Sequence, residues 1–118
     1  MTIQDIFLMV KELRPEMDLE VDNLCEPFLY HIEQRIANEL LHTTRKFGDG
    51  HLLLPEEHCD VYWTYALSYL ALRHRDWDDY RENRKLFEAA WENLCRQVFL
   101  QKENFKIRPQ YPIRSEEL

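Results

Sequence analysis

Glycine is scarce in this sequence, with only two residues among 118. Tight hairpin turns and β-bulges use glycine because it adopts positive φ without steric cost. A sheet assembled from short hairpins is therefore not expected. A Gly-rich phosphate-binding loop is excluded for the same reason. The shortage favours an all-α fold.

Sequence motifs for catalysis and metal binding are also missing. The chain contains no CxxC, HExxH, HxH or GxSxG pattern. Residues 57–60 place Glu, His, Cys and Asp in a row, but helical neighbours point about 100° apart and cannot converge on one ion. We therefore expect no enzyme activity, no catalytic residue, no cofactor and no metal site. Cys25, Cys59 and Cys95 are predicted to be small buried hydrophobes in a reducing compartment.

No apolar run approaches the length of a membrane span, and the first residues lack the pattern of a secretion signal. A cytoplasmic protein without a membrane partner is expected.

The formal charge is −7, and residues 1–27 carry seven acidic side chains against two basic ones. An acidic body repels phosphate groups, so sequence-specific nucleic-acid binding is not expected.

Apolar residues at helical spacing predict four helices. The first runs from Ile3 to Leu13, with Thr2 and Asp5 at capping-box spacing and Pro15 ending it. Residues 15–23 are interpreted as an acidic connection. The second helix is predicted to start near residue 23, with Pro27 in its first turn. Its polar outer face is predicted to consist of His31, Glu33, Gln34, Arg35, Asn38 and Glu39.

The third helix has no polar face. Between Val61 and Leu72 only Thr64 and Ser68 are neither apolar nor aromatic. Such a helix is buried on all sides, either centrally in one subunit or between subunits. In so small a protein the second option is attractive, and it favours oligomerisation. The candidate interface residues on this helix are Trp63, Leu67 and Leu70.

The segment Leu52–Leu54, just before the third helix, is short and apolar. It is expected either to cross the edge of the core or to touch a neighbouring chain. After the third helix, Asp76 and Asp79 have the spacing that caps a fourth one.

Beyond residue 101 the character changes, because Pro109 and Pro112 interrupt any helix. We therefore predict a small four-helix bundle at residues 1–101 and an extended, basic, proline-containing C-terminal tail at residues 102–118. The tail either folds back on its own bundle or docks on a partner chain. Its candidate interface residues are Phe105, Ile107, Tyr111 and Ile113.

Six segments carry a family resemblance: TIQDI at 2–6, IEQRIANE at 32–39, LPEE at 54–57, DVYWTYAL at 60–67, WDDYREN at 77–83 and LFEAAW at 86–91. Through them the chain resembles the small head–tail connector proteins (adaptor or head-completion proteins) of tailed bacteriophages and prophages. The resemblance covers roughly residues 2–100, and the tail has no counterpart in it.

This resemblance implies a structural subunit of a ring of about a dozen copies, seated beneath the portal protein and joining the head to neck and tail proteins. DNA would pass through the channel without sequence-specific contact. The protein would be found in the bacterial host cytoplasm during assembly and in the virion neck afterwards. An acidic helical regulatory module, which masks a basic surface of a partner, is the alternative.

Overall fold

The computed structural model describes residues 1–42 and 50–100. Within these ranges the fold is all-α, as predicted, with four helices and two short 3-10 turns at Pro15–Met17 and Glu56–His58. The helices are α1 (Ile3–Leu13), α2 (Asp18–Leu40), α3 (Cys59–Arg73) and α4 (Trp77–Leu100). The predicted extended tail lies outside the described residues.

Helix α1 begins and ends as its sequence predicts. The Thr2 hydroxyl accepts the Asp5 N–H at 3.2 Å, and the Asp5 carboxylate accepts the Thr2 N–H at 2.8 Å. This capping box satisfies two backbone donors at the start of the helix. The helix stops before Pro15; Ile3, Ile6, Phe7 and Val10 of its apolar stripe are buried, and Leu13 at its end is exposed.

Helix α2 is longer than predicted. It starts at Asp18 rather than near residue 23, so most of the predicted connection is helical and Pro27 lies well inside the helix. Proline removes one bond of the helix ladder, the one to the carbonyl of Asn23. Both Pro27 and Asn23 are exposed, so water can satisfy that carbonyl. The proline was therefore the wrong marker for the start of this helix.

The prediction that Glu33 lies on the polar outer face of α2 was wrong. Its side chain is fully buried, and its Oε2 accepts the Leu53 N–H at 2.8 Å. Its Oε1 accepts the Tyr62 hydroxyl at 2.5 Å, and the same hydroxyl accepts the Leu54 N–H at 3.1 Å. Buried polar groups need such partners. Glu33 supplies them where the segment before α3 enters the core.

Leu52–Leu54 belongs to the core of the chain itself, with all three leucines at 2% exposure or less. The Ile3 N–H donates to the carbonyl of Gly50 at 2.9 Å, and the Leu52 N–H donates to the carbonyl of Met1 at 3.0 Å. These bonds join the N-terminus to the segment in a short antiparallel bridge. Of the two predicted placements, the core edge is the one observed.

Helix α3 is the centre of the bundle and contacts each of the other three helices. Nine of its residues are buried, including Thr64 and Ser68. The two polar side chains bond within the helix, Thr64 to the carbonyl of Asp60 and Ser68 to the carbonyl of Tyr65. The lack of a polar face is therefore explained by burial inside one chain, which was the first of the two predicted options.

The junction between α3 and α4 is a tight reversal without glycine. The Arg75 N–H donates to the carbonyl of Leu72 and the Asp76 N–H to the carbonyl of Ala71, both near 3 Å. This pair of bonds is a Schellman motif, and Arg75 takes its left-handed position with φ 56°. The Asp76 carboxylate then accepts the Asp79 N–H at 3.1 Å, which confirms the predicted cap of α4.

Candidate interaction surface

The outward side of the central helix, together with α4, forms a shallow apolar groove. We call it the α3–α4 groove; its volume is about 240 Å³. Trp63 lies half-buried on its α3 side, whereas Leu86 on α4 is 48% exposed. Its lining residues are Asp60, Trp63, Thr64, Leu86, Ala89, Ala90 and Asn93.

The α4 side of this groove follows from helical spacing. Phe87, Ala90 and Leu94 point into the core. Leu86 and Ala89 stand one position before Phe87 and Ala90, so they lie about 100° around the helix and remain exposed. The groove is therefore a second, weaker apolar strip on α4. Sequence reasoning missed Leu86, although its spacing to Ala89 and Asn93 carried that signal.

A second, more polar depression adjoins the groove along α4. Its volume is about 550 Å³, and Leu86 lines it as well. Arg81 pairs with Asp78 at 2.5 Å, and Glu82 and Lys85 complete the lining. The two depressions together follow one side of α4 from Asp78 to Asn93, a rise of about 22 Å. An elongated ligand such as an extended peptide matches this shape.

The predicted interface residues of α3 have different positions. Trp63 lines the groove and is accessible. Leu67 and Leu70 are 2% and 0% exposed, so both belong to the core of the single chain. The prediction that they lie on an interface surface was wrong. They were predicted because apolar residues on all sides of a helix do not reveal which neighbour covers them. Phe105, Ile107, Tyr111 and Ile113 lie outside the described residues.

The hydrogen bonds of Glu33 hold the start of α3, and with it the groove, in place. Tyr62 is the immediate neighbour of Trp63, and its hydroxyl is fixed between α2 and the Leu54 N–H. Each of these buried hydrogen bonds stabilises the fold by about 1 kcal/mol net, and a buried partner left without its bond costs more than that. Rotation of α3 about its axis would break them. The Trp63 side of the groove is therefore preorganised.

An aromatic cluster lies between α2 and α4, with Tyr65 at its centre. The Tyr65 hydroxyl is 2.7 Å from Nδ1 of His31, and its ring packs against Phe87. Arg35 stacks on the Trp91 ring at 4.2 Å. The pKa of Tyr65 is raised, chiefly by burial and to a smaller extent by its hydrogen bond with Tyr69. This tyrosine therefore stays protonated at neutral pH and acts as a packing and hydrogen-bonding group.

Burial also raises the pKa values of the three cysteine thiols. It raises the pKa of Cys25 to about 12, and it is the largest cause of the raised pKa values of Cys59 and Cys95. The thiolate, rather than the thiol, is the nucleophile and metal ligand. These environments therefore disfavour thiol chemistry at neutral pH.

Residues 1–42 and 50–100 contain no group of three or more His, Cys, Asp or Glu side chains that could hold a metal ion. In the same ranges, no helix combines the length and the apolar character needed to cross a membrane. Within the described residues, the α3–α4 groove offers an apolar surface that can bind a partner.

Comparisons with family models, with curated proteins and with solved structures find no match for this chain. The function is therefore inferred from the residues and their geometry, together with the resemblance at residues 2–100.

Proposed function

We propose that the protein is a structural subunit of a phage or prophage head–tail connector ring, which docks on the portal protein and joins the head to neck and tail proteins. The observation that carries the proposal is the α3–α4 groove, with Leu86 48% exposed beside a half-buried Trp63. Apolar side chains open to solvent in a groove gain stability when a partner covers them, which favours a protein–protein contact here. The resemblance to connector proteins supplies the partners.

A ring requires contacts between two different surfaces of each copy, because identical surfaces would close a two-fold dimer. The groove supplies one such surface. The central helix and the hydrogen bonds of Glu33 hold the groove in one conformation in the free chain, without a partner. A preorganised surface loses less entropy on binding.

The charge of the body agrees with a position around DNA. Residues 1–101 carry 19 acidic and 11 basic side chains. An acidic channel wall repels the phosphate backbone, so DNA passes without being held. In this proposal the protein occupies the host cytoplasm during assembly and the virion neck afterwards.

Sedimentation of the purified chain, alone and with the portal protein encoded in the same genome, tests the proposal. We expect a monomer at low concentration, larger species at high concentration, and a stable complex with the portal. A chain that stays monomeric at every concentration and never binds the portal would contradict it.

The acidic body favours a second candidate, a regulatory module that masks a basic surface of a partner. Such a module would form an equimolar complex, and its affinity would fall steeply with salt. Genes for capsid and tail proteins beside this one would favour the connector, whereas a toxin-like or regulatory neighbour would favour the module.

A further inference from the structure

We infer that the α3–α4 groove receives the C-terminal segment, residues 102–118, of a second copy of this chain. The inference rests on the proposed function, since it names the contact by which ring subunits would hold one another. Each copy would offer its groove to one neighbour and its own segment to the other.

The lengths of the two partners agree. The groove and the adjoining depression extend about 22 Å along α4 from Asp78 to Asn93. The apolar part of the segment runs from Phe105 to Ile113, and in extended form these residues span about 26 Å. Prolines at 109 and 112 keep such a stretch extended and reduce the entropy lost on docking.

The charges also agree. Residues 102–118 carry four basic and three acidic side chains, and two of the acidic ones, Glu116 and Glu117, lie beyond the apolar stretch that ends at Ile113. Among the lining residues of the groove, Asp60 is the one with a charge, and it is acidic. The adjoining depression adds Asp78 and Glu82 beside two basic residues. Apolar side chains flanked by bases would therefore meet an apolar surface on an acidic body, which favours encounter and orientation.

The end of α4 favours a groove filled by the segment of a second copy over a groove filled by the chain's own segment. The helix continues to Leu100, where Phe99 and Leu100 are 75% and 66% exposed. To enter its own groove the chain would have to reverse direction within residues 101–104. Reversals at helix ends usually employ glycine, and residues 101–118 contain none. An ordinary residue would again have to take the unfavourable left-handed conformation, as Arg75 does after α3. A neighbour's segment needs no reversal.

Cross-linking with mixed isotopes tests this directly. The full chain is prepared in normal and isotopically heavy forms, with a photo-cross-linking residue in place of Ile107. The two forms are mixed, irradiated and digested, and the linked peptides are identified by mass spectrometry. We expect pairs of mixed isotope that join the segment to residues 60–64 or 86–93. Contacts between copies give light–heavy pairs alongside light–light and heavy–heavy ones. Linked peptides that are never of mixed isotope would show capture of the chain's own segment and would overturn the inference, as would links elsewhere on the bundle.

A pair of matched substitutions gives the second measurement. Leu86→Glu places a charge in the groove, whereas Leu19→Glu places the same charge on a 74% exposed leucine of α2 outside it. Both positions are exposed, so folding should be retained and is checked by circular dichroism. We expect Leu86→Glu to weaken self-association about tenfold or more, and Leu19→Glu to change it less than about twofold.

The outcomes separate this inference from the proposed function. If Leu86→Glu leaves self-association unchanged while rings still form on the portal, the groove is not the contact and the connector function stands. If self-association depends on Leu86 and on residues 102–118 but no portal complex forms, the inference stands and the connector function falls.

Discussion

The hydroxyl of Tyr62 donates to the carboxyl of Glu33 at 2.5 Å in the interior of the bundle, where neither side chain is exposed. The bond joins the start of α3 to the middle of α2. Through the N–H groups of Leu53 and Leu54, the same two side chains also hold the segment that leads into α3. The position of Trp63 on the surface depends on this buried contact.

Replacement of either partner should destabilise the fold. Tyr62→Phe leaves the Leu54 N–H and one Glu33 oxygen without their observed partner, which should cost about 1–3 kcal/mol. Glu33→Ala adds a cavity and should cost about 2–5 kcal/mol. Urea denaturation measures both. The control is Glu39→Ala, which removes a surface pair with Arg35 and should change the free energy of unfolding by less than about 1 kcal/mol. Equal unfolding midpoints for Tyr62→Phe and the parent chain would show that the contact contributes nothing.

The left-handed residue at the end of α3 gives a stabilising prediction. Arg75 has φ 56°, a conformation that costs an ordinary residue about 1 kcal/mol relative to glycine. Arg75→Gly should therefore raise the free energy of unfolding by up to about 1 kcal/mol. Arg73→Gly, two residues earlier and inside the helix, should lower it by about 0.5–1 kcal/mol. Thermal denaturation of the two variants compares them, and the same sign for both would argue against the observed helix end.

The capping box of α1 predicts a dependence on pH. The pKa of Asp5 lies below its ordinary 3.8, chiefly because of the hydrogen bond from the Thr2 N–H and to a smaller extent because of the one with the Thr2 hydroxyl. A group with a lowered folded-state pKa stabilises the fold above its unfolded-state value, and loses that contribution as the pH falls through the folded-state value. Asp5→Asn should therefore be less stable than the parent at pH 7, and the two should converge in strong acid. A difference that is constant with pH would contradict this.

The three cysteines should differ in reactivity. Cys25 is fully buried, and burial raises its pKa to about 12. Cys59 and Cys95 are only partly buried. With iodoacetamide near pH 8 and no denaturant, Cys59 and Cys95 should be alkylated first, and Cys25 only when the chain unfolds. Peptide mass spectrometry assigns the sites, and early labelling of Cys25 would mean that the core opens readily.

Much of the fold follows from the sequence, because three of the four helices show a clear apolar stripe. Capping signals at Thr2 and Asp76 also located two helix starts. The start of α2 could not be predicted because Pro27 is tolerated on an exposed face, where water replaces the lost bond. The reversal at Arg75 gives no signal, since arginine takes a position that usually holds glycine.

The candidate site was predicted less well than the fold. Trp63 lies at the groove, and its role in an interface stays a prediction. Leu67 and Leu70 are in the core, because the pattern of α3 does not distinguish burial in one chain from burial between chains. Glu33 was missed since charge normally indicates exposure. Its role depends on two backbone N–H groups near residue 53 that only tertiary structure brings to it.

Native mass spectrometry of the portal protein, mixed with an excess of this chain, tests the proposed connector function most directly. Each bound copy adds 14.5 kDa. The connector proposal predicts one dominant complex, heavier than the portal ring by about a dozen such increments. A spectrum that contains only the portal ring and the free chain would contradict it.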